Sequence, residues 1–561
     1  MSPTTTDVTL PESALEAFRA ALAAAIAQRY PQASAAAIAF EAPRRPEFGD
    51  FATNAAFALA KVARIAPNAV AEHLIADVNA RAPEVCAHFT AIEPVAGFIN
   101  LRLAPALWHA QIAHIVRSGD RFGTLASNGV RISLEFGSAN PTGPLVVVQG
   151  RTLSIGDTLA KALRMRGYDV FTEWVVNDYG TQVDTLARSL YARYAQCFEP
   201  DYPFPEDGYP GEYLLPIAAG LARRDGARWL GTPQSEWLPY FSQDGLAALL
   251  AEQQATALRF GLQYDLWQSE RALHESGRVR EDIDRLRELG LTYERDGALF
   301  FRATDYGDDK DRVVLRSDGR PTYYGADIAY HYEKLKRADR VIDILGPDHH
   351  GYIGRLKGLA TALGYPGQLD VMIAQQITLM RAGEQVSMSK RAGNIITLDD
   401  ILDEVGVDAA RFFFVMLATD SPLTFDLALA VEQTSDNPVY YVQYGHARIA
   451  SVLRNADAAD VAFARSGAHL DRLSHAAELT LARRLSELPG VVQGVVDHLA
   501  PHRLAKYARD VATDFHQFYT ECKILVEDRE LRVARLALAL GAKSVLARVL
   551  DLVGVSAPET M

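Results

Sequence analysis

The stretch from residue 130 to residue 176 constrains the fold more than any other. It opens with "VRISLEFGS", a buried strand, passes through a turn, continues as a helix expected over about 149 to 167, and resumes as the strand "YDVFTEWVV" after Gly167. A strand, a crossover helix and a second strand make a βαβ unit, and such a crossover sets the two strands parallel. The pattern returns as "ADRVIDILG", "YIGRLKGLATALG" and "LDVMIAQQ", again strand, helix, strand. Two such halves predict a doubly wound, Rossmann-type α/β sheet whose ligand crevice lies outside the carboxyl ends of its strands.

The chain has 561 residues, too many for one hydrophobic core. The expected division is an N-terminal α+β module over 1–118, the first half of the sheet domain over 119–182 and an insertion over 183–320. The second half of the sheet domain follows over 321–396, then a connecting helical segment over 397–430 and an all-helical domain over 431–561. The capping box from Thr397 to Asp400 opens the helical region. Three cysteines without a CxxC pair exclude a thiolate zinc site of that spacing and a disulfide framework, and point to a reducing compartment. No run approaches the ~20 apolar residues that cross a bilayer, so a cytoplasmic protein is expected. A net charge of −13 does not exclude nucleic acid, which needs only a local basic face.

The turn itself, "ANPTGPLVVVQG", is of the kind that puts a helix N-terminus against phosphate, yet it shows three valines where polar contacts are expected. No Walker A pattern occurs anywhere in the chain. The other route to a triphosphate is a cationic loop from the second half of the sheet, and "EQVSMSKRAGN" at 384 to 394 supplies Ser389, Lys390 and Arg391. Alone, "SMSKR" reads more readily as a solvated surface loop.

Taken in order along the chain, "GDFATNAAFALAK", "GFIN", "LEFGSANPTGP", "GYDVFTEWVVNDYGTQ", "TYYGADIAYH", "ILGPDHHGY", "MSKRAGN" and "DNPVYYVQYGHARI" resemble the arginyl-tRNA synthetases, a family of class I aminoacyl-tRNA synthetases. The resemblance covers nearly the whole chain. It implies ATP-dependent activation of L-arginine and its transfer to tRNA-Arg, with Mg²⁺ accompanying ATP, no structural metal, and a monomer whose N-terminal module meets the outer corner of the tRNA.

Two signatures depart from the family pattern. His-x-Gly-His is here Val146, Val147, Val148 and Gln149, and Lys-Met-Ser-Lys is here Ser387, Met388, Ser389 and Lys390. The family histidines donate to the triphosphate, a contribution of about 3 kcal/mol per donor. Val146 donates nothing, whereas Gln149 keeps an NH₂ group. The resemblance implies Lys390, Ser389 and Gln149 as catalytic residues, and Gly150, Gly346, Asp348, His349, Met388 and Lys390 at ATP. An adenylation-deficient, tRNA-binding relative is the alternative that the valines support.

Free arginine needs carboxylates for its guanidinium and polar groups for its backbone end. Tyr323 and Asp327 share a helix face at four-residue spacing, and the resemblance places them at the guanidinium with Glu135, while Asn140 matches a contact to the amino-acid backbone. Singly, these residues read as a surface tyrosine, a helix carboxylate and a turn asparagine. The run Asn177, Asp178 and Gln182 follows the second strand of the βαβ unit and reads either as a ligand-gathering turn or as a cap. Asp348 and His349 raise a metal phosphoesterase as a rival, but its second cluster of aspartates is missing. In the helical domain Tyr440, Gln443, Tyr444 and Arg448 follow Pro438 at helical spacing and offer stacking faces with an arginine one turn on, the chemistry that reads unpaired tRNA bases. An aromatic core seam would look the same.

Overall fold

A computed structural model describes residues 9–32, 38–41, 43, 45–349, 351–386 and 396–561 of the chain. The N-terminal module is a three-stranded antiparallel sheet, β1 (Phe51–Thr53), β2 (Phe89–Val95) and β3 (Phe98–Leu103) in the order β1-β3-β2, packed on helices that include Leu10–Arg29 and Pro67–Arg81. Thr9 and Glu12 close a reciprocal cap at the start of the first helix, two orphan N–H groups satisfied by one pair of side chains.

The expected βαβ unit is present as β4 (Arg131–Ala139), the helix Val147–Met165 and β5 (Asp169–Val176). The helix lies so close to the sheet that a Cβ on Gly156 would fall 1.9 Å from Phe136 Cγ, so only glycine permits the contact. Along the chain follow β6 (Leu266–Ser269), a small antiparallel sheet of β7 (Thr292–Arg295), β8 (Ala298–Phe301) and β9 (Arg312–Leu315), and then β10 (Arg340–Leu345) and β11 (Leu369–Ile373). The main sheet has the order β11-β10-β4-β5-β6, and each of its pairings is parallel. The span 183–320, expected as a single insertion, therefore contains one edge strand of this sheet, β6. Sequence order reverses between β4 and β10, so the crevice lies where those two strands end, at Asn140 and Gly346.

A second small sheet pairs β12 (Ile377–Arg381) with β13 (Glu384–Gln385) and, in parallel, with β14 (Leu423–Asp426). β14 interrupts the segment expected to be helical between 397 and 430. Past it the chain is a bundle of helices, the longest being Pro438–Asn455, His502–Glu521 and Arg529–Val553. Arg411, buried on the helix Leu398–Val415, ties the parts together: it pairs with Asp157 and donates to the main-chain oxygens of Phe260 at 2.9 Å and Val553 at 3.1 Å. Those partners belong to the βαβ helix, the end of the helix Gln234–Arg259 and the C-terminal helix. Among the described residues no helix is long and apolar enough to cross a membrane.

Candidate functional site

The crevice between β4 and β10 is built first from backbone. The turn after β4 is clamped from the side by the preceding part of the 183–320 span: Gln253 Nε2 donates to the main-chain oxygens of Asn140 at 3.1 Å and Gly143 at 2.8 Å, and Tyr213 donates its hydroxyl to Thr142 O at 2.6 Å. Asn177, past β5, donates to Asn140 Oδ1 at 3.1 Å, and Gln182 donates to Asn177 O at 2.8 Å. With its oxygen engaged, Asn140 keeps an NH₂ that makes no hydrogen bond among the described residues. The run Asn177 to Gln182 thus supports the turn, and Asp178 anchors it by accepting from Ser269 Oγ at 2.7 Å and from the Arg271 N–H at 2.9 Å.

Of the three valines, Val147 is buried in the core while Val146 and Val148 are half-buried at the helix start. Gln149 Oε1 accepts the Val146 N–H at 2.9 Å. The amide therefore caps its own helix with its oxygen, and its NH₂ makes no hydrogen bond among the described residues. Gly150, expected at ATP, faces elsewhere: a Cβ there would meet Leu398 and Phe414 at 2.8 Å, so this glycine serves the packing of two helices. Gly346 is different, since a Cβ there would meet nothing within 4 Å and a ligand can approach its backbone. Asp348 and His349 follow it, exposed, in a short 3₁₀ turn. The second signature, with Met388, Ser389 and Lys390, lies outside the described residues. Its outgoing flank is bonded to the first signature: Leu398 donates to Leu145 O at 2.7 Å, and Val147 to Ile396 O at 3.3 Å.

The acidic part of the site differs from expectation at one residue and gains another. Tyr323 and Asp327 stand together at the start of the helix Tyr323–Arg337, the tyrosine 58% exposed. Glu135, expected at the guanidinium, instead points under that helix and is bound by Lys334 Nζ at 2.7 Å, so its charge is already answered inside the protein. In its place Glu270 enters the site from the residue after β6. It is 8% exposed, and burial, with Asp327 and Asp178 nearby, pushes its carboxyl up to about 7. The nearest basic group is His274 at 3.9 Å, itself held toward the neutral form by burial. Burial likewise raises Asp327, whose carboxylate makes no ion pair or hydrogen bond among the described residues. A buried and a half-buried carboxyl side by side, with His331 and Arg355 acting on Asp327 only through space, are costly to keep ionised, and an arriving cation recovers that cost. Glu270 carries no sequence signal: it is one acid after a four-residue strand.

In the helical domain Tyr440 and Tyr444 stack at 5.9 Å with 10° between planes, and Tyr444 continues onto His516 at 5.9 Å. The Arg448 guanidinium lies 5.5 Å from the Tyr444 ring and 4.2 Å from that of Tyr519. Tyr444, Arg448, Tyr519, Lys523 and the terminal Met561 line a cavity of about 710 Å³. Gln443 does not belong to this face. It is buried and its Nε2 donates to Asp408 Oδ2 at 2.8 Å and Ser556 O at 3.0 Å, which fixes the C-terminal tail and commits its NH₂ within the protein. His516, Tyr519 and Lys523 carry no signal next to the tyrosines because they come from the next long helix and its exit, which only the tertiary fold brings alongside.

Three family models match the chain in order. They are the arginyl tRNA synthetase N terminal domain over residues 16–103, the class I (R) tRNA synthetase catalytic domain over 253–415 and the DALR anticodon binding domain over 442–561. An arginine–tRNA ligase of Heliobacterium modesticaldum is 43% identical over 540 residues, covering 93% of this chain and 94% of that protein. One of Syntrophotalea carbinolica is 43% identical over 529 residues, with 93% and 95% covered. Arginyl-tRNA synthetase of Thermus thermophilus has the same fold, with a TM-score of 0.75 at 22% identity over 97% of this chain and 100% of that one.

Proposed function

The chain belongs to the arginyl-tRNA synthetase family of class I enzymes, and from that premise we propose how its own residues divide the work. It is an arginine–tRNA ligase: arginine's carboxylate attacks the α-phosphorus of ATP, pyrophosphate leaves, and the ribose of the terminal adenosine of tRNA takes the arginyl group from the adenylate. No enzyme nucleophile is involved, so catalysis is positioning and charge stabilisation.

Asp327 and Glu270 receive the guanidinium, beside Tyr323. The observation that carries this assignment is that the Glu270 carboxyl is buried and that of Asp327 half-buried, that desolvation raises both, and that neither is hydrogen-bonded to or ion-paired with a lysine or arginine among the described residues. Asn140 donates its NH₂ to the amino acid's carboxylate. The helix N-terminus at Val147, the Gln149 NH₂ and Lys390 meet the triphosphate, with Ser389 and Met388 beside Lys390, while Gly346, Asp348 and His349 border the nucleoside. Mg²⁺ would accompany ATP as its counter-ion and supply charge neutralisation at the phosphates. Tyr440, Tyr444 and Arg448, with Tyr519, take unpaired anticodon-loop bases. The enzyme works as a monomer in the cytoplasm.

The pocket makes arginine binding depend on pH in a stated direction. A carboxyl near 7 in the free enzyme, against 4.5 as its ordinary value, is largely protonated below neutrality, and a guanidinium favours its charged form. Binding therefore releases a proton below pH 7. Arginine affinity should rise up to about tenfold per pH unit between roughly pH 5.5 and 7 and level off above. Titration calorimetry in two buffers of different ionisation enthalpy reads the proton directly. Glu270→Gln should reduce both the release and the slope, leaving the part carried by Asp327; an unchanged slope in that variant removes Glu270 from the pocket. The same shift acts on folding with the opposite sense: the buried acid costs no stability below pH 4.5, and its full cost appears once pH has risen past 7.

A further inference from the structure

Beneath the pocket lies a group of charges that the reaction does not use. Glu173, Glu135 and Asp343 share one register across β5, β4 and β10, so three buried carboxylates stand abreast at the strand spacing of about 5 Å. Charges of one sign at that spacing repel strongly in a dry interior. The cations that answer them come from a single helix, Tyr323–Arg337. Arg337 pairs with Glu173, and Lys334 reaches both Glu135 and Asp343. His331 Nε2 lies 3.1 Å from the second oxygen of Asp343. Lys334 is 0% exposed, with Nζ 4.7 Å from the centre of the Tyr330 ring. Burial alone would pull Lys334 down, but the two acids outweigh it and keep the ammonium charged.

The same helix carries the pocket. Tyr323, Asp327, His331 and Lys334 follow at spacings of four, four and three residues and so lie along one face. His331 Nδ1 is 2.7 Å from the main-chain oxygen of Asp327, which joins the ion cluster to the pocket residue itself. Lys334 sits about 10 Å along the axis from Asp327, and a rigid helix carries any slip at one point to the other. Arg337, by contrast, is partly exposed and grips the sheet at the far end of the helix.

We propose that Lys334 is a positioning residue for arginine: by locking its helix to Glu135 and Asp343 it sets the height and rotation at which Asp327 and Tyr323 meet the guanidinium. This rests on Asp327 and Glu270 being the arginine pocket. A guanidinium held by charge-assisted hydrogen bonds tolerates little displacement, and a shift of 1 Å can cost about 10²-fold.

The test compares wild type, Lys334→Met, and the double variant Glu135→Gln with Lys334→Met, in pyrophosphate exchange with tRNA present and in thermal unfolding. The single variant should melt earlier and show a KM for arginine raised at least about tenfold, with the KM for ATP within about twofold. The double variant removes one of the two acids that lose Lys334 and leaves Asp343 with His331, so it should recover part of the melting temperature while its KM for arginine stays raised. The inference is overturned if folded variants keep the wild-type KM for arginine, or lose only kcat in step with the folded fraction. Wild type whose exchange does not depend on arginine would instead overturn the pocket.

Discussion

Asp327→Asn is expected to lower kcat/KM for arginine by about 10² to 10⁴, the equivalent of the roughly 3–5 kcal/mol lost when one partner of a buried ion pair is removed. The loss should fall on arginine and spare the KM for ATP, because the proposed role of Asp327 is at the guanidinium and the first signature turn is built from other residues. Stability should move the other way. The carboxyl is held above its ordinary range by burial, so an uncharged amide of the same shape relieves a cost at neutral pH. A melting temperature that holds or rises while arginine activation collapses is the combined result expected from paired unfolding and exchange assays. A variant that unfolds earlier and keeps its KM for arginine would assign Asp327 to the scaffold.

Arg411→Met should cost about 3–5 kcal/mol of stability, because it removes one partner of a buried ion pair and leaves the other in place. Among the described residues Asp157 then keeps only Lys161, at 3.0 Å, and the oxygens of Phe260 and Val553 lose their donor in a dry interior. The substitution also frees the space against which Gly554 is packed, since a Cβ on that glycine would fall 2.2 Å from the guanidinium. Because the partners of Arg411 come from three parts of the chain, the effect should be a loosening between parts. Thermal unfolding should start earlier, and limited proteolysis should cut between the helix ending at Val415 and the C-terminal bundle. If the melting profile and the proteolytic pattern match wild type, Arg411 does not hold the parts together.

The sheet was legible because its strands and helices have the right lengths and order, and a right-handed crossover leaves one arrangement. The edge strand β6 was not, because "LWQS" is four residues without periodicity and becomes a strand only where β5 offers its free edge. Tyr323 with Asp327, and Tyr440 with Tyr444 and Arg448, were legible as neighbours, since helical spacing alone puts them on one face. Charge pairing was not. Glu135 reads from the resemblance as a pocket acid, but it stands in the middle of β4 and the lysine that claims it is 199 residues further on. Gln443 sits among the aromatics in sequence, yet its face of the helix turns to Asp408 and Ser556, which only the folded tail supplies. Gly150 looks like a phosphate glycine because it follows the signature, while its need for a bare backbone arises from Leu398 and Phe414, far along the chain.

What sets this first signature apart is a half-buried valine, Val146, in place of a donor, a second, Val148, at the glycine position, and a glutamine whose oxygen caps its own helix while its NH₂ makes no hydrogen bond among the described residues. The proposal is that this turn still activates arginine, with Gln149 and the second signature carrying the triphosphate. Arginine-dependent ATP–pyrophosphate exchange, run with and without tRNA bearing an arginine anticodon, tests it most directly. The account predicts exchange that requires arginine and is supported by the tRNA. Tight tRNA binding with no exchange under any of these conditions would contradict it and leave a protein that binds tRNA without charging it.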